Sequence, residues 1–285
     1  MQEVLFHISQ EIGEDIVSHH PISGGDIPSA YLLQTETKKY FLKVNSKPFA
    51  SAMFHAEQKG LQAIGETQTI AVPHVHLVDS AGGKSFLLMD FVEAKRPDAA
   101  DFRRFGGQLA QLHQCAQSNF GFLSDNFIGS LLQSNHPHTD WAVFYWYERI
   151  FPQLKMACDR QLLNTKEIPT HENALPVFNE IFGNVNPSLL HGDLWAGNYL
   201  ISTDGTPYLI DPATYCGHAM VDIAMSRLFG GFGPSFYDAY HGIIPKTGNY
   251  KQQIELYQLY YLLVHLNLFG KGYYSGVLSI LQRYF

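Results

Sequence analysis

The chain has 285 residues, of which 46% are hydrophobic, 14% aromatic and 16% charged. That is enough to bury a large core and exceeds the usual single-domain mode of about 100–150 residues, so one large domain or two lobes are expected, and a disordered, collagen-like or disulfide-dense chain is excluded. The 19 basic and 26 acidic side chains leave a net charge of −7, which argues against a bulk electrostatic role on nucleic acid or an anionic membrane but not against a local basic pocket.

Cys115, Cys158 and Cys216 are widely spaced and form no CxxC pair, so neither a thiolate zinc site nor a disulfide framework is indicated. The opening MQEVLFHISQEIGEDIV lacks the basic and long apolar regions of a signal peptide and reads as an amphipathic helix. The richest apolar run, 259–269, is interrupted by His265 and Asn267 and falls short of the roughly 20 residues that span a bilayer. A soluble protein in a reducing, cytoplasmic setting is expected.

Val4, Leu5, Ile8, Ile12 and Ile16 recur at helical spacing and predict a helix over 2–17. The turn signal SGGDIPSAY follows, then β-rich runs at 31–35 and 39–44 that pair as a hairpin. Over 48–65 the period becomes helical, with Phe49, Met53, Ala56, Gly60, Ala63 and Ile64 on one face. Strands at 75–79 and 85–89 flank Gly82-Gly83, which completes a small antiparallel sheet with a helix laid on it. Beyond the polar link EAKRP at 93–97, helices dominate: 99–117, 140–162, 172–184, 218–229, 234–242, 250–269 and 272–283. Two short apolar pieces, 188–190 and 208–210, interrupt them, and each ends in a polar cluster. The pattern predicts an α+β fold in two lobes, a β-rich lobe over 1–90 and a mostly helical lobe over 91–285.

The strongest chemical signal is HGDLWAGN, His191 to Asn198, directly after an apolar strand. It holds Asp193 and Asn198, and Asp211 follows at the end of PYLIDPA. Oxygen-bearing side chains on loops after short strands suit a hard divalent cation. Asp-x₄-Asn followed by a later Asp is also the spacing of the kinase catalytic loop, where the first Asp takes the proton of the attacking hydroxyl and the others hold Mg²⁺. Upstream, Lys43 stands in the otherwise apolar strand YFLKVN. A buried ammonium needs a partner, and Glu57 on the following helix is the candidate. Gly24 and Gly25 tolerate positive φ, so successive N–H groups there can form an anion-binding nest over the phosphates. In FLLMDFVE, the carbonyl of Asp90 and the N–H of Val92 are the candidate adenine contacts. Only a few residues separate Asp211 from the next helix, too few for the activation segment that docks a polypeptide, so a small-molecule acceptor is expected.

These stretches together resemble the fructosamine kinase (ketosamine-3-kinase) family, which is similar in fold to aminoglycoside phosphotransferases. The matching runs are GGDIPSAY, YFLKVN, MFHAEQKGL, DNFIGSL, Asp140-Trp141, SLLHGDLWAGN, LIDPATYCGH, DIAMSRLFGGF and YQLYYLLVHLNLFG, over about 24–270. The resemblance implies ATP- and Mg²⁺-dependent phosphorylation of a sugar hydroxyl in a free or protein-bound ketosamine, which destabilises the glycation adduct and releases the amine. Asp193 would be the catalytic base, Asn198 and Asp211 the metal ligands, and Lys43, held by Glu57, the phosphate contact. The chain departs from the family where Ala219-Met220 replaces the usual Arg-Glu pair ahead of Asp222, so support for the catalytic loop must come from elsewhere. With Asp26 in the phosphate loop, no thiol switch is expected there.

Trp195 can stack on a sugar ring or serve as a core tryptophan. His191 is expected to order the loop by hydrogen bonding. Paired histidines such as His74-x-His76 lack a second cluster at zinc-like spacing. Tyr257, Tyr260, Tyr261 and Phe269 read as the core of a buried helix. Alternatives are another small-molecule kinase of this fold (aminoglycoside, choline or homoserine), a pseudokinase, and a metal-dependent hydrolase that uses Asp193 and Asp211.

Overall fold

The structure, a computed structural model, describes residues 1–22 and 29–285. The Gly24-Gly25 turn lies outside the described residues. Helix α1 (Gln2–Ile12) stops short of the expected 17 because Gly13, at φ 70°, caps it in the left-handed conformation. The released chain becomes β1 (Ser18–Ile22), whose exposed His19-His20-Pro21 sequence carries no apolar alternation to announce it. Pro21 is tolerated because β1 is an edge strand.

Then follow β2 (Ala30–Gln34), β3 (Lys39–Asn45), α2 (Ala50–Glu66), β4 (Val75–Ala81) and β5 (Lys84–Asp90). The five strands form one antiparallel sheet in the order β1-β2-β3-β5-β4. Side chains alternate across its faces. Leu33, Leu42, Val44, Phe86 and Leu88 pack with Val4 and Ile8 of α1. Leu87 and Met89 turn the other way, toward Phe54 of α2.

The helical lobe opens with α3 (Ala99–His113), started by a capping box in which the Asp98 side chain accepts from the Ala100 and Asp101 N–H groups and the Asp101 carboxylate accepts from the Asp98 N–H. The short strands β6 (Asn126–Ile128) and β7 (Leu131–Gln133) make a tight hairpin. Helix α4 (Trp141–Phe144) runs through a π-helical turn, Tyr145–Ile150, into α5 (Phe151–Asp159). The turn carries Arg149 into the core, where its guanidinium lies 3.9 Å from the Tyr215 ring centroid and donates to Asn135 Oδ1 at 2.6 Å. After α6 (His171–Phe182) come β8 (Ser188–Leu190), β9 (Tyr199–Ile201), β10 (Pro207–Leu209) and β11 (Tyr215–Gly217), paired β8 with β11 and β9 with β10. Helices α7 (Met220–Leu228), α8 (Pro234–Ile243), α9 (Tyr250–Phe269) and α10 (Tyr274–Tyr284) complete the lobe. Gly106 of α3 lets α8 approach so closely that a Cβ there would sit 2.2 Å from the Phe236 carbonyl oxygen.

Tyr257, Tyr260 and Tyr261 are buried in α9 as expected. Phe269 is not, because it stands at the helix end and is 57% exposed. The lobes meet where the Leu209 N–H donates to the Ala71 carbonyl at 2.9 Å, and the link between them is held to the helical lobe by the Lys95 N–H to the Ile201 carbonyl at 2.8 Å. Among the described residues, no helix is long and apolar enough to cross a membrane.

Candidate active site

Strand alternation fixes the first component. Leu42 and Val44 face α1, so Phe41 and Lys43 face α2 and the cleft. Lys43 is buried, with only 4% of its side chain exposed. Its Nζ donates to Glu57 Oε1 at 2.6 Å and pairs with Asp211 Oδ1 from the other lobe. Burial works against the ammonium, but Asp211 and Glu57 together outweigh it and raise the lysine pKa. For Glu57, burial is the largest influence, and with Asp211 nearby it pushes the carboxyl up to about 7 against the opposing pull of Lys43.

The catalytic loop leaves β8 and is held from beneath. Asp222 of α7 is fully buried; Oδ2 accepts the His191 N–H and Oδ1 the Gly192 N–H, both at 2.8 Å. His113 Nε2 donates to the same carboxylate at 3.1 Å, and the Tyr240 hydroxyl meets His113 Nδ1 at 2.7 Å. Burial alone would raise the Asp222 pKa, but the His113 hydrogen bond and charge, His191 and the Gly192 N–H together hold it below the usual carboxylate range. These contacts support the loop although Ala219-Met220 stands in place of the charged pair. His191 is also buried: Nε2 donates to the Ile210 carbonyl at 2.8 Å and Nδ1 accepts the Asp193 N–H at 3.2 Å. Both ring nitrogens are engaged, and burial pushes its pKa down.

Gly192, at φ 85°, passes so close to the next segment that a Cβ would lie 2.1 Å from the Ala213 carbonyl oxygen. Asp211 itself adopts φ 55°, an uncommon conformation for a residue with a side chain. Such a residue persists only where its surroundings over-determine it. On the α2 side, Gly60 admits Thr214, whose Oγ1 would be 2.8 Å from an added Cβ.

The donor set suits a hard cation. Asn198 Nδ2 donates to the Asp193 carbonyl at 2.8 Å and to Asp193 Oδ2 at 3.2 Å, which leaves the amide oxygen for a ligand. With the Asp211 carboxylate, that gives two protein oxygens beside space for phosphate oxygens, the sparse arrangement that Mg²⁺ takes.

One cavity of about 800 Å³ unites these groups: Lys43, Glu57, Asp90, Val92, Asp193, Trp195, Asn198 and Asp211 all line it. The Val92 N–H makes no backbone hydrogen bond among the described residues. The Asp90 carboxylate turns away to accept from His76 Nε2 at 2.7 Å. Trp195 is half-buried and lies over Gly197, where an added Cβ would sit 2.5 Å from the indole.

Sequence reasoning missed Phe127, Gly129, Ser130, Leu268 and Phe269, which line the same cavity. The first three lie in DNFIGSL and the last two in HLNLFG, and of the five only Phe269 has an expected place, as core of a buried helix. Phe269 is therefore a cavity wall and not core. For Asp222 the sequence offers only a carboxylate flanked by Val221 and Ile223 in a helix, a charge that burial obliges to find partners but whose partners the sequence does not name.

The profile of the fructosamine kinase family matches residues 1–285. The chain is 40% identical to a Synechocystis sp. protein named "Probable ketoamine kinase" over 99% of this chain and 96% of that protein. It is 38% identical to the chloroplastic protein-ribulosamine 3-kinase of Arabidopsis thaliana, over 92% of this chain and 81% of that one. A solved Thermobifida fusca structure named "putative fructosamine-3-kinase" superimposes with a TM-score of 0.88 at 30% identity, covering 99% of this chain and 98% of the other. A two-lobed kinase-like architecture, a lysine and an aspartate paired across its cleft, and similarity over the whole length lead to one conclusion: the chain belongs to the fructosamine kinase family.

Proposed function

We propose that the protein transfers the γ-phosphoryl group of ATP to a sugar hydroxyl of a ketosamine. One observation carries the proposal: Lys43 of the sheet lobe meets Asp211 of the helical lobe across a cavity that Asp193 and Asn198 also line. Adenine sits at the link between the lobes, where the Asp90 carbonyl accepts from the base and the Val92 N–H donates to it. Lys43, oriented by Glu57, contacts the α- and β-phosphates. Gly24 and Gly25, outside the described residues, are assigned to the phosphates from their sequence alone. Asn198 and Asp211 hold magnesium, which when bound neutralises charge on the phosphate oxygens.

At the other end of the cavity, the face of Trp195 stacks on the sugar, beside Phe127, Leu268 and Phe269. The acceptor hydroxyl oxygen attacks the γ-phosphorus, its proton passes to the Asp193 carboxylate, and the bond to the β-phosphate oxygen breaks to release ADP. Positioning and charge complementarity supply most of the acceleration. The product is a phosphorylated ketosamine, which sheds its amine and so reverses glycation. The sheet lobe over 1–90 is the nucleotide-binding lobe, with Val92, Asn198 and Asp211 reaching the nucleotide from the helical lobe over 91–285, which also carries the catalytic loop and the acceptor site. The setting is cytoplasmic.

Asp193→Asn tests the assignment. General-base removal costs on the order of 10²–10⁴ in rate, so ketosamine-dependent ADP release should fall by that factor while ATP affinity changes by less than about threefold. Turnover within tenfold of wild type would remove Asp193 from the role of base.

A further inference from the structure

The β6–β7 hairpin has two ends that face different parts of the site. Its tip, Phe127 with Gly129 and Ser130, borders the cavity. Gly129 turns the chain at φ 56° and packs on Leu268, whose Cδ1 would be 2.9 Å from an added Cβ. Its base holds two buried amides opposite each other in register, Asn126 and Gln133. Neither amide serves the hairpin alone. Asn126 Nδ2 donates to the Thr214 carbonyl at 2.7 Å. Gln133 Nε2 donates to Asn126 Oδ1 at 2.7 Å and to the Ala213 carbonyl at 3.3 Å, and Gln133 Oε1 accepts the Tyr260 hydroxyl at 2.6 Å.

Ala213 and Thr214 follow Asp211 almost directly, and the Ala213 carbonyl is the atom against which Gly192 packs. The segment that carries Asp211 is thus gripped from three sides: by α2 at Gly60, by the catalytic loop at Gly192 and by the hairpin amides. The positive φ of Asp211 needs such a grip. Among the described residues, the side-chain hydrogen bonds of these two buried amides run to one another across the hairpin, to Tyr260 and to those carbonyls. Apolar side chains of similar volume would pack as well at less desolvation cost.

We propose that Asn126 and Gln133 are positioning residues that make the hairpin tip and the Asp211 loop one rigid unit, so the surface that meets the acceptor and the carboxylate that holds the metal are set in register by the same two side chains. The proposal rests on the assignment of Asp211 as a metal ligand. Partners that orient a ligand commonly affect metal affinity or activity by about 10–100-fold when removed.

The test titrates Mn²⁺ into the full-length protein in the presence of ADP, with free Mn²⁺ followed by electron paramagnetic resonance, alongside steady-state kinetics with a ribulosamine acceptor. Three variants are compared: Gln133→Met, Tyr260→Phe and Asp211→Asn. Asp211→Asn should abolish the ADP-dependent Mn²⁺ site, and its survival would overturn the metal assignment itself. If that site is lost as expected, Gln133→Met should weaken Mn²⁺ binding about tenfold and raise the acceptor KM by a similar factor, both together. Tyr260→Phe, which removes only the hydroxyl that orients Gln133, should move both constants the same way by about threefold, and it decides the matter if Gln133→Met does not fold. A lower melting temperature with both constants unchanged would make the amides mere packing and overturn the proposal. A shift in one constant without the other would overturn the coupling between tip and loop.

Discussion

Replacing Lys43 by Met removes the only cation between Glu57 and Asp211 among the described ion pairs. Asp211, with 28% of its side chain exposed, can be rehydrated, but Glu57, at 13%, is left as an orphan carboxyl in a buried position. Breaking a buried pair in this way costs about 3–5 kcal/mol. The cost should also depend on pH. Burial already pushes Glu57 up to about 7 with the lysine present, and loss of the ammonium pushes it further. The folded variant therefore binds a proton that the unfolded chain, with an ordinary glutamate, does not. The sign follows: for an acid whose folded pKa is raised, stability falls as pH rises above the unfolded value. At about 1.4 kcal/mol per pH unit, the variant should lose roughly 2–3 kcal/mol between pH 6 and pH 8, about 1 kcal/mol more than wild type, whose own Glu57 at about 7 titrates within the same window. Urea unfolding followed by tryptophan fluorescence measures this. Lys43→Met/Glu57→Gln should recover most of the loss and flatten its pH dependence. A penalty independent of pH, or a double variant no more stable than the single one, would refute the claim that Glu57 is held in place by Lys43.

The supporting shell yields further expectations. Asp222→Asn keeps the shape but offers only one acceptor oxygen to the His191 and Gly192 N–H groups, so it should cost about 2–3 kcal/mol in urea unfolding and lower kcat more than tenfold; near-wild-type kcat would mean the loop holds itself. Gly192→Ala forces a Cβ to within 2.1 Å of a backbone carbonyl at positive φ, and the variant should lose about 3 kcal/mol or more, or misplace Asp193, which a crystal structure or kcat would reveal. Burial pushes the His218 pKa down to about 3 and depresses His191 as well. Both stay neutral when folded, so the stability they contribute is full above about pH 6.5 and lost on acidification through the window below it. Wild type should lose about 2 kcal/mol from His218 alone between pH 7 and pH 5, and His218→Gln should remove that slope; an equal slope in the variant would contradict the neutral, buried histidine.

Long periodic segments were legible from sequence because their physics is local. The helix that carries Glu57 and strands β2, β3, β4 and β5 follow from apolar period alone, and Lys43 declared itself as the one charge within YFLKVN. The three-residue strands β6, β7, β9 and β11 were not legible, since a period of two cannot be read in three residues. The π-helical turn at Tyr145–Ile150 was equally hidden, because it exists to bring Arg149 onto Tyr215, a contact between residues distant in sequence. The chemistry of HGDLWAGN could be read from residue type and spacing, whereas its scaffolding could not. Asp222, Asn126 and Gln133 act through buried hydrogen bonds to backbone groups, and nothing in the sequence names a backbone partner. Phe269 misled because an aromatic at the end of an apolar helix has the same spacing whether it faces the core or a cavity.

The measurement that bears most directly on the account is ADP release by the purified protein with Mg²⁺ and ATP, recorded in parallel for ribulosamine, erythrulosamine and fructosamine derivatives of lysine and for aminoglycosides, choline and homoserine. Release stimulated at least tenfold by one or more of the ketosamines, and by none of the other acceptors, is the predicted outcome. No stimulation by any ketosamine, or stronger stimulation by an aminoglycoside, choline or homoserine, would contradict it.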